Sequence, residues 1–372
     1  MSIYLDYNAT SPLRAQARAA IEAALDVTGN PSSVHAEGRR ARGLVEQARG
    51  AVMDLMGGCA GRICFTSGGT EANALGVIGG AKAQGAERLI ISAIEHDAVR
   101  GAAEASGLPV KVLTVTPDGV ADLDHLKELL AGPKALVALM AVNNETGVIQ
   151  PIAEAADLIR AAGGLFHVDA VQAAGRIPLG EIGMSADTVA LSAHKIGGPK
   201  GIGALHIAKA YDLRALFTGG GQELGDRAGT ENVLGIAGFG AAAQAALNEL
   251  EDQDRIASLR DGIEADLNAA RPIGNRAPRV SNVSALKMDG VKAETQVMAF
   301  DLEGICVSAG SACSSGKVGA SHVMAAMGLD EDEAQTVIRV SLGFATTRDE
   351  CEKFCAAWRA IHGRLAGRAS AA

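Results

Sequence analysis

The chain has 372 residues, 48% of them hydrophobic and 21% charged, enough to bury one large α/β domain and a smaller companion. A net charge of −9 and a pI near 5.4 disfavour nucleic acid or an anionic membrane surface as the main ligand. No apolar run approaches membrane length, and no charged n-region with an apolar h-region opens the chain, so the expectation is a cytoplasmic protein.

The six cysteines, Cys59, Cys64, Cys306, Cys313, Cys351 and Cys355, form no Cys-x-x-Cys pair and have no zinc-type histidine spacing, so no metal is expected.

A short extended piece, Tyr4 to Pro12, precedes a predicted helix from about Leu13 to Leu25. The run Gly29-Asn30-Pro31-Ser32-Ser33 breaks it, with His35 just beyond, and a second helix covers roughly Glu37 to Leu55. Ile63–Thr66 reads as a strand, and Ser67-Gly68-Gly69-Thr70-Glu71 as a turn opening a helix. The free N–H groups of such a helix start suit a phosphate.

After a strand at Arg88–Ser92 comes Glu95-His96-Asp97. There a histidine is either structural or a ring that stacks and moves protons. Leu136–Met140 is a strand that leads to Asn143-Asn144-Glu145-Thr146-Gly147. Asparagines at that point either cap a turn or face a ligand crevice. A helix over about Ile152–Ala162 follows, and strands alternating with helices predict a mainly parallel sheet.

Phe166-His167-Val168-Asp169 ends a further apolar run in a carboxylate, with Gln172 three residues on. The apolar run Thr188–Leu191 then leads into Ser192-Ala193-His194-Lys195-Ile196-Gly197-Gly198. Lys195 is there either a solvated turn residue or a Schiff-base amine meeting a carbonyl compound. An Asp such as Asp169 beside a pyridinium keeps that ring protonated and electron-withdrawing.

Beyond a strand at Ala204–Ile207 lie the glycine-rich stretch Gly219–Glu223 and Arg227-Ala228-Gly229-Thr230. An alanine-rich helix then runs to about Glu251. From Asp252 the pattern changes: an amphipathic helix, an irregular stretch over Arg271–Pro278, then a predicted strand at Arg279–Ser284. Cys313 stands among small residues in Gly310-Ser311-Ala312-Cys313-Ser314-Ser315-Gly316, the composition of an exposed loop. In the strand Val337–Leu342, Arg339 calls for an anion, either a protein carboxylate or an amino-acid substrate. A helix around Asp349–Leu365 and a small-residue tail complete the chain.

Taken together, these motifs resemble, in order and spacing over nearly the whole chain, the cysteine desulfurases of the NifS/IscS type. These are fold-type-I pyridoxal-phosphate enzymes of the class-V aminotransferase superfamily. The resemblance implies an α/β fold with a large cofactor-binding domain (16–250) around a mainly parallel, seven-stranded type of sheet. A smaller α+β domain (1–15 and 251–372) would carry the cysteine loop.

It further implies that Lys195 holds pyridoxal 5′-phosphate and that Asp169 meets the pyridine nitrogen. His96 would stack on the ring, Gln172 and Asn144 would reach the ring oxygen, and Gly69, Thr70, Ser192 and His194 would hold the phosphate. Asn144 and Arg339 would bind the carboxylate of L-cysteine, and Cys313 would take its sulfur. Thr230 would reach the neighbour's cofactor phosphate across a homodimer interface, and His35 would lie on a loop near the site.

The implied activity is conversion of L-cysteine to L-alanine, with the sulfur passed to an iron–sulfur scaffold or a thiolation protein. The tail lacks the longer extension through which some relatives dock a scaffold. A selenocysteine lyase, a class-V aminotransferase and a catalytically silent assembly scaffold are the alternatives. The first could use the same site, the second has no need of Cys313, and the third would be colourless.

Overall fold

The computed structural model describes residues 2–310 and 321–369. Its N-terminal strand β1 (Ile3–Tyr4) is followed by the strands of a seven-stranded sheet: β2 (Gly61–Thr66), β3 (Arg88–Ser92), β4 (Val110–Leu113), β5 (Ala135–Ala138), β6 (Leu165–Asp169), β7 (Thr188–Ser192) and β8 (Gly203–Ala208). Their order is β2-β8-β7-β6-β5-β3-β4. Only β8 runs against its neighbours, so β2 to β7 all point the same way.

Both faces of this sheet are covered, and its strands therefore read as continuous apolar runs. Ile90, Val137 and Val168 point into a core shared with Val45, Val52 and Phe239 of the helices Ala36–Leu55 and Val233–Asn248. Leu89, Leu136 and Ala190 point the other way, against Leu75 and Val99. The alternation is the two-residue period of a strand.

Strands β9 (Arg271–Ile273), β10 (Val283–Lys287), β12 (Ser308–Ala309) and β13 (Val337–Ser341) form a second sheet in the order β12-β13-β10-β9. Between β10 and β12, β11 (Ile305–Cys306) pairs in parallel with β1. A separate core packs here around Trp358, Phe354 and Phe300, and Leu5 of the N-terminal segment joins it. Asp6 bridges to Ser341, so the first residues are built into this part of the molecule.

The strand expected at Arg279–Ser284 is displaced to Val283–Lys287. Ser281 and Asn282 form a turn instead, because the Asn282 amide reaches Asn8 Oδ1 and the Leu342 carbonyl, both at 3.1 Å. The stretch over Arg271–Pro278 is not wholly irregular, since its first three residues form β9. The alanine-rich helix stops at Asn248 and passes into a 3-10 turn at Leu250–Asp252.

Candidate active site

Because β2, β3, β5, β6 and β7 run in one direction, the residues that follow them gather along one sheet edge, where ligands bind in open α/β sheets. That edge supplies Gly69 and Thr70 after β2, His96 after β3, Asn144 after β5, Asp169 and Gln172 from β6, and Ser192, His194 and Lys195 from β7. All of them line a single cavity of about 310 Å³, and Arg339 from β13 joins them.

Lys195 ends the short 3-10 turn Ala193–Lys195, and its Nζ donates to the carbonyls of Asn8 at 2.6 Å and Ala9 at 2.9 Å. Asn8 is almost wholly buried and acts as a hub. Its side-chain amide donates to Asn144 O at 3.0 Å, its N–H to Ser341 Oγ at 3.0 Å, and its Oδ1 accepts from Arg176 at 3.2 Å. The N-terminal segment is therefore threaded between the lysine and the asparagine of the site.

Asp169 is 6% exposed, and each carboxylate oxygen has a donor: the Val171 N–H reaches Oδ1 at 2.9 Å and the Asn73 amide reaches Oδ2 at 2.8 Å. Asn73 Oδ1 faces His167 Nε2 at 2.9 Å, and His167 Nδ1 faces the Thr188 hydroxyl at 2.9 Å. Burial pushes the His167 imidazole down to about 3, so the ring is neutral. An oxygen at Nε2 fixes the tautomer: Nε2 carries the proton and Nδ1 accepts from Thr188. Leu75–Gly79 forms one π-helical turn beside this network, and a side chain on Gly76 would run into the His167 ring.

His96 caps the helix Asp97–Ala105, its Nδ1 accepting from the Ala98 N–H at 3.0 Å, which leaves the proton of the neutral ring on Nε2. The preceding Glu95 is fully buried. Its Oε1 accepts from the Met140 N–H at 2.6 Å, and Oε2 has no hydrogen-bond partner among the described residues. Burial, with the Asp169 charge adding to it, holds this carboxyl well above the ordinary carboxylate range.

Burial, aided by the charges of Lys195 and Lys200, pushes His194 down to about 4, and its Nδ1 lies 3.2 Å from the Thr10 hydroxyl. Gln172 donates one amide hydrogen to Asn8 O at 3.0 Å, and its Oε1 has no hydrogen-bond partner among the described residues. Gly69 is closely packed, since a Cβ there would sit 3.0 Å from Val171 Cγ2 and 3.2 Å from Ser192 Cβ and would press on both side chains.

Of its two expected kinds of partner, Arg339 meets the protein carboxylate. It pairs with Asp6 Oδ1 at 2.9 Å and donates to Asn144 O at 3.3 Å; the residue lines the cavity, and its buried Nε has no hydrogen-bond partner among the described residues.

Thr230 is exposed and is not part of this cavity, and Cys313 lies outside the described residues. His35 is also off the cavity; it caps the helix Ala36–Leu55, its Nδ1 accepting from the Gly38 N–H at 3.2 Å. The roles of Asn73, His167 and the Asn8 hub are not legible in the sequence. Asn8 lies in the extended piece from Tyr4 to Pro12, which by itself points to no contact with Lys195.

The class-V aminotransferase family model matches residues 3–354. Cysteine desulfurase 2 of Trichormus variabilis is 42% identical over 360 residues, spanning 94% of this chain and 90% of that protein. The cysteine desulfurase of Cereibacter sphaeroides is 41% identical over 362 residues, 94% of this chain and 93% of its own. Among solved structures, a NifS-like protein from Rickettsia africae superimposes with a TM-score of 0.90 at 34% identity, covering 98% of this chain and 100% of that one. An arrangement of lysine, aspartate, histidine and arginine around one cavity, in a chain with these relatives, places the protein in the class-V aminotransferase family, among its cysteine desulfurases of the NifS/IscS type.

Proposed function

We propose that the chain is a cysteine desulfurase that converts L-cysteine to L-alanine and takes the sulfur onto Cys313 as a persulfide, with pyridoxal 5′-phosphate at Lys195. The observation that carries this reading is the convergence of an amine, a carboxylate, an imidazole and a guanidinium on one cavity of about 310 Å³.

The donor set fits the cofactor. Gly69, Thr70, Ser192 and His194 offer backbone, hydroxyl and imidazole donors to a phosphate, and Asp169 offers a pre-oriented carboxylate to a pyridinium.

When bound, the cofactor supplies an electron-withdrawing ring conjugated to the substrate amine, which acidifies the substrate Cα–H and permits cleavage of its Cβ–S bond. Lys195 Nζ is the base that takes and returns the proton at Cα, and His96 Nε2 is the second proton carrier. Arg339 and Asn144 grip the substrate carboxylate and set its orientation. The Cys313 thiolate attacks the substrate sulfur. The S–S bond forms as the Cβ–S bond breaks, and the electron pair stays with the carbon, which a proton then fills. The balance is L-cysteine plus a thiol giving L-alanine plus a persulfide, with no external oxidant or reductant.

Thr230, exposed in the single chain, serves the neighbouring subunit's cofactor phosphate in a homodimer. The reading also divides the chain into a cofactor domain (16–250) and a smaller domain (1–15 with 251–372), supported by the β1–β11 pairing and by Leu5 in the core around Trp358. It places the protein in the cytoplasm and hands the sulfur to a protein acceptor for iron–sulfur or thio-cofactor synthesis.

The test is Cys313→Ser in the cofactor-loaded protein. The yellow absorbance should persist while persulfide and alanine formation are lost, and full sulfide release by this variant would sink the assignment.

A further inference from the structure

Glu145 follows Asn144 in the turn over Asn143–Gly147 and is only 3% exposed, yet it does not line the cavity. Asn143 fixes this turn: its Oδ1 accepts from the N–H groups of Glu145 and Thr146, both at 3.0 Å, and from the Thr146 hydroxyl at 3.1 Å. The Glu145 carboxylate is aimed elsewhere. Its Oε2 accepts from the Ser321 hydroxyl at 2.6 Å, and any side chain on Gly310 would run into the same oxygen.

Gly310 and Ser321 are the described residues on either side of 311–320, the stretch of sequence that contains Cys313. One buried carboxylate oxygen thus meets both ends of it. The Ser321 hydroxyl is also directional. It caps the helix His322–Ala326, accepting from the N–H groups of Val323 at 3.1 Å and Met324 at 3.3 Å, so its own proton is left to point at Glu145.

Burying a carboxylate is costly, and among the described residues no ion pair offsets that cost at Glu145. Burial is the main influence on this carboxyl and pushes it up; the Ser321 hydrogen bond and the Arg339 charge pull it down, and Asp97 pushes it up. Asn144, the residue before it, lines the cavity, so Glu145 joins the turn that carries a cavity residue to the two residues that flank the segment.

We propose that Glu145 is a positioning residue for the sulfur-transfer step, tying Gly310 and Ser321 to the turn that carries Asn144, so that thiol and substrate share one frame of reference. This rests on the reading of Cys313 as the sulfur acceptor. Attack of one sulfur on another tolerates little misplacement, and an error of about 1 Å costs on the order of a hundredfold in rate.

The experiment uses cofactor-loaded protein mixed rapidly with L-cysteine. Two quantities are followed: the absorbance change on substrate binding, which needs no thiol, and the persulfide on the Cys313 peptide by quenched mass spectrometry. In Glu145→Ala the absorbance change should stay within about twofold of wild type while persulfide formation slows about tenfold to a hundredfold. Glu145→Gln keeps an acceptor for Ser321 and should restore most of that loss. Tryptic cleavage after Lys317, measured without substrate, should be faster in Glu145→Ala than in wild type. Ser321→Ala is a second, milder variant that should show the same split.

Persulfide at the wild-type rate in Glu145→Ala and Ser321→Ala overturns the proposal, as does equal slowing of both quantities. Cys313→Ser separates the two layers. If it still forms alanine at the wild-type rate, the reading of Cys313 fails and this one with it. If it is inactive while Glu145→Ala behaves as wild type, the failure belongs to Glu145 alone.

Discussion

Asn73 donates its side-chain amide to Asp169 Oδ2 at 2.8 Å and turns its carbonyl to a neutral, fully buried His167 at 2.9 Å. The helix after β2 thereby holds the carboxylate at the end of β6, and the orientation of one fixes that of the other. Asn73→Ala leaves a buried carboxylate oxygen and a buried imidazole N–H without partners. The expected cost is about 1–3 kcal/mol of stability, read as a lower urea midpoint, together with weaker cofactor retention on dialysis. An unchanged midpoint would show that the network is ornamental.

Lys195 Nζ, held by the carbonyls of Asn8 and Ala9, is the amine that should become covalently tagged when the yellow protein is treated with borohydride. Peptide mass spectrometry should place the added mass on Lys195, and Lys195→Ala should give no tagged peptide and no alanine. A tag on any other lysine overturns the assignment.

Arg339→Lys tests the substrate grip. Lysine offers a point charge in place of a planar fork, so it cannot serve Asp6, the Asn144 carbonyl and a substrate carboxylate together. The expected result is a fall in kcat/KM for L-cysteine of about tenfold to a hundredfold, carried mostly by KM, with the absorbance of the bound cofactor retained. A KM equal to wild type would reduce Arg339 to the partner of Asp6.

Glu95 carries a pH signature. Its folded carboxyl lies well above the ordinary value of 4.5, burial being the main cause, the Asp169 charge adding to it and the Met140 N–H opposing it. A group shifted in that direction contributes stability that is complete below its unfolded value and is lost as pH rises through the folded one. Glu95→Gln stays neutral throughout, so its stability should fall less steeply than wild type above about pH 4.5, by about 1 kcal/mol per pH unit while the folded carboxyl stays protonated. Urea titrations across neutral pH check this, and parallel curves for the two proteins would contradict it.

The edge of the large sheet was legible because its strands are buried on both faces and end in polar residues. The apolar runs ending at Asp169 and Ser192 announce both a strand and a crevice. The His167–Asn73–Asp169 chain was not, because its members lie 94 and 96 residues apart and only the sheet order brings them together. Strand β10 was misplaced for a similar reason. Val280 and Val283 read locally as a strand and mask the turn-forming Ser281 and Asn282, whose turn is held by the distant Asn8 and Leu342. Arg339 was correctly expected to need an anion, but sequence could not choose between a protein carboxylate and a ligand, and the geometry serves Asp6.

The Asn8 hub bears on the order in which the molecule is made. Asn8 and Ser341 are 333 residues apart, as are Asp6 and Arg339, yet these contacts set the frame around Lys195. A chain still emerging from the ribosome therefore holds its lysine, its aspartate and most of its large sheet well before it holds a finished site. Closing so long a loop adds little entropy cost beyond that of a shorter one, but it cannot begin until the last strand has been translated. The frame around Lys195 is thus completed only once β13 exists, and a chain cut short before it would carry the lysine without that frame.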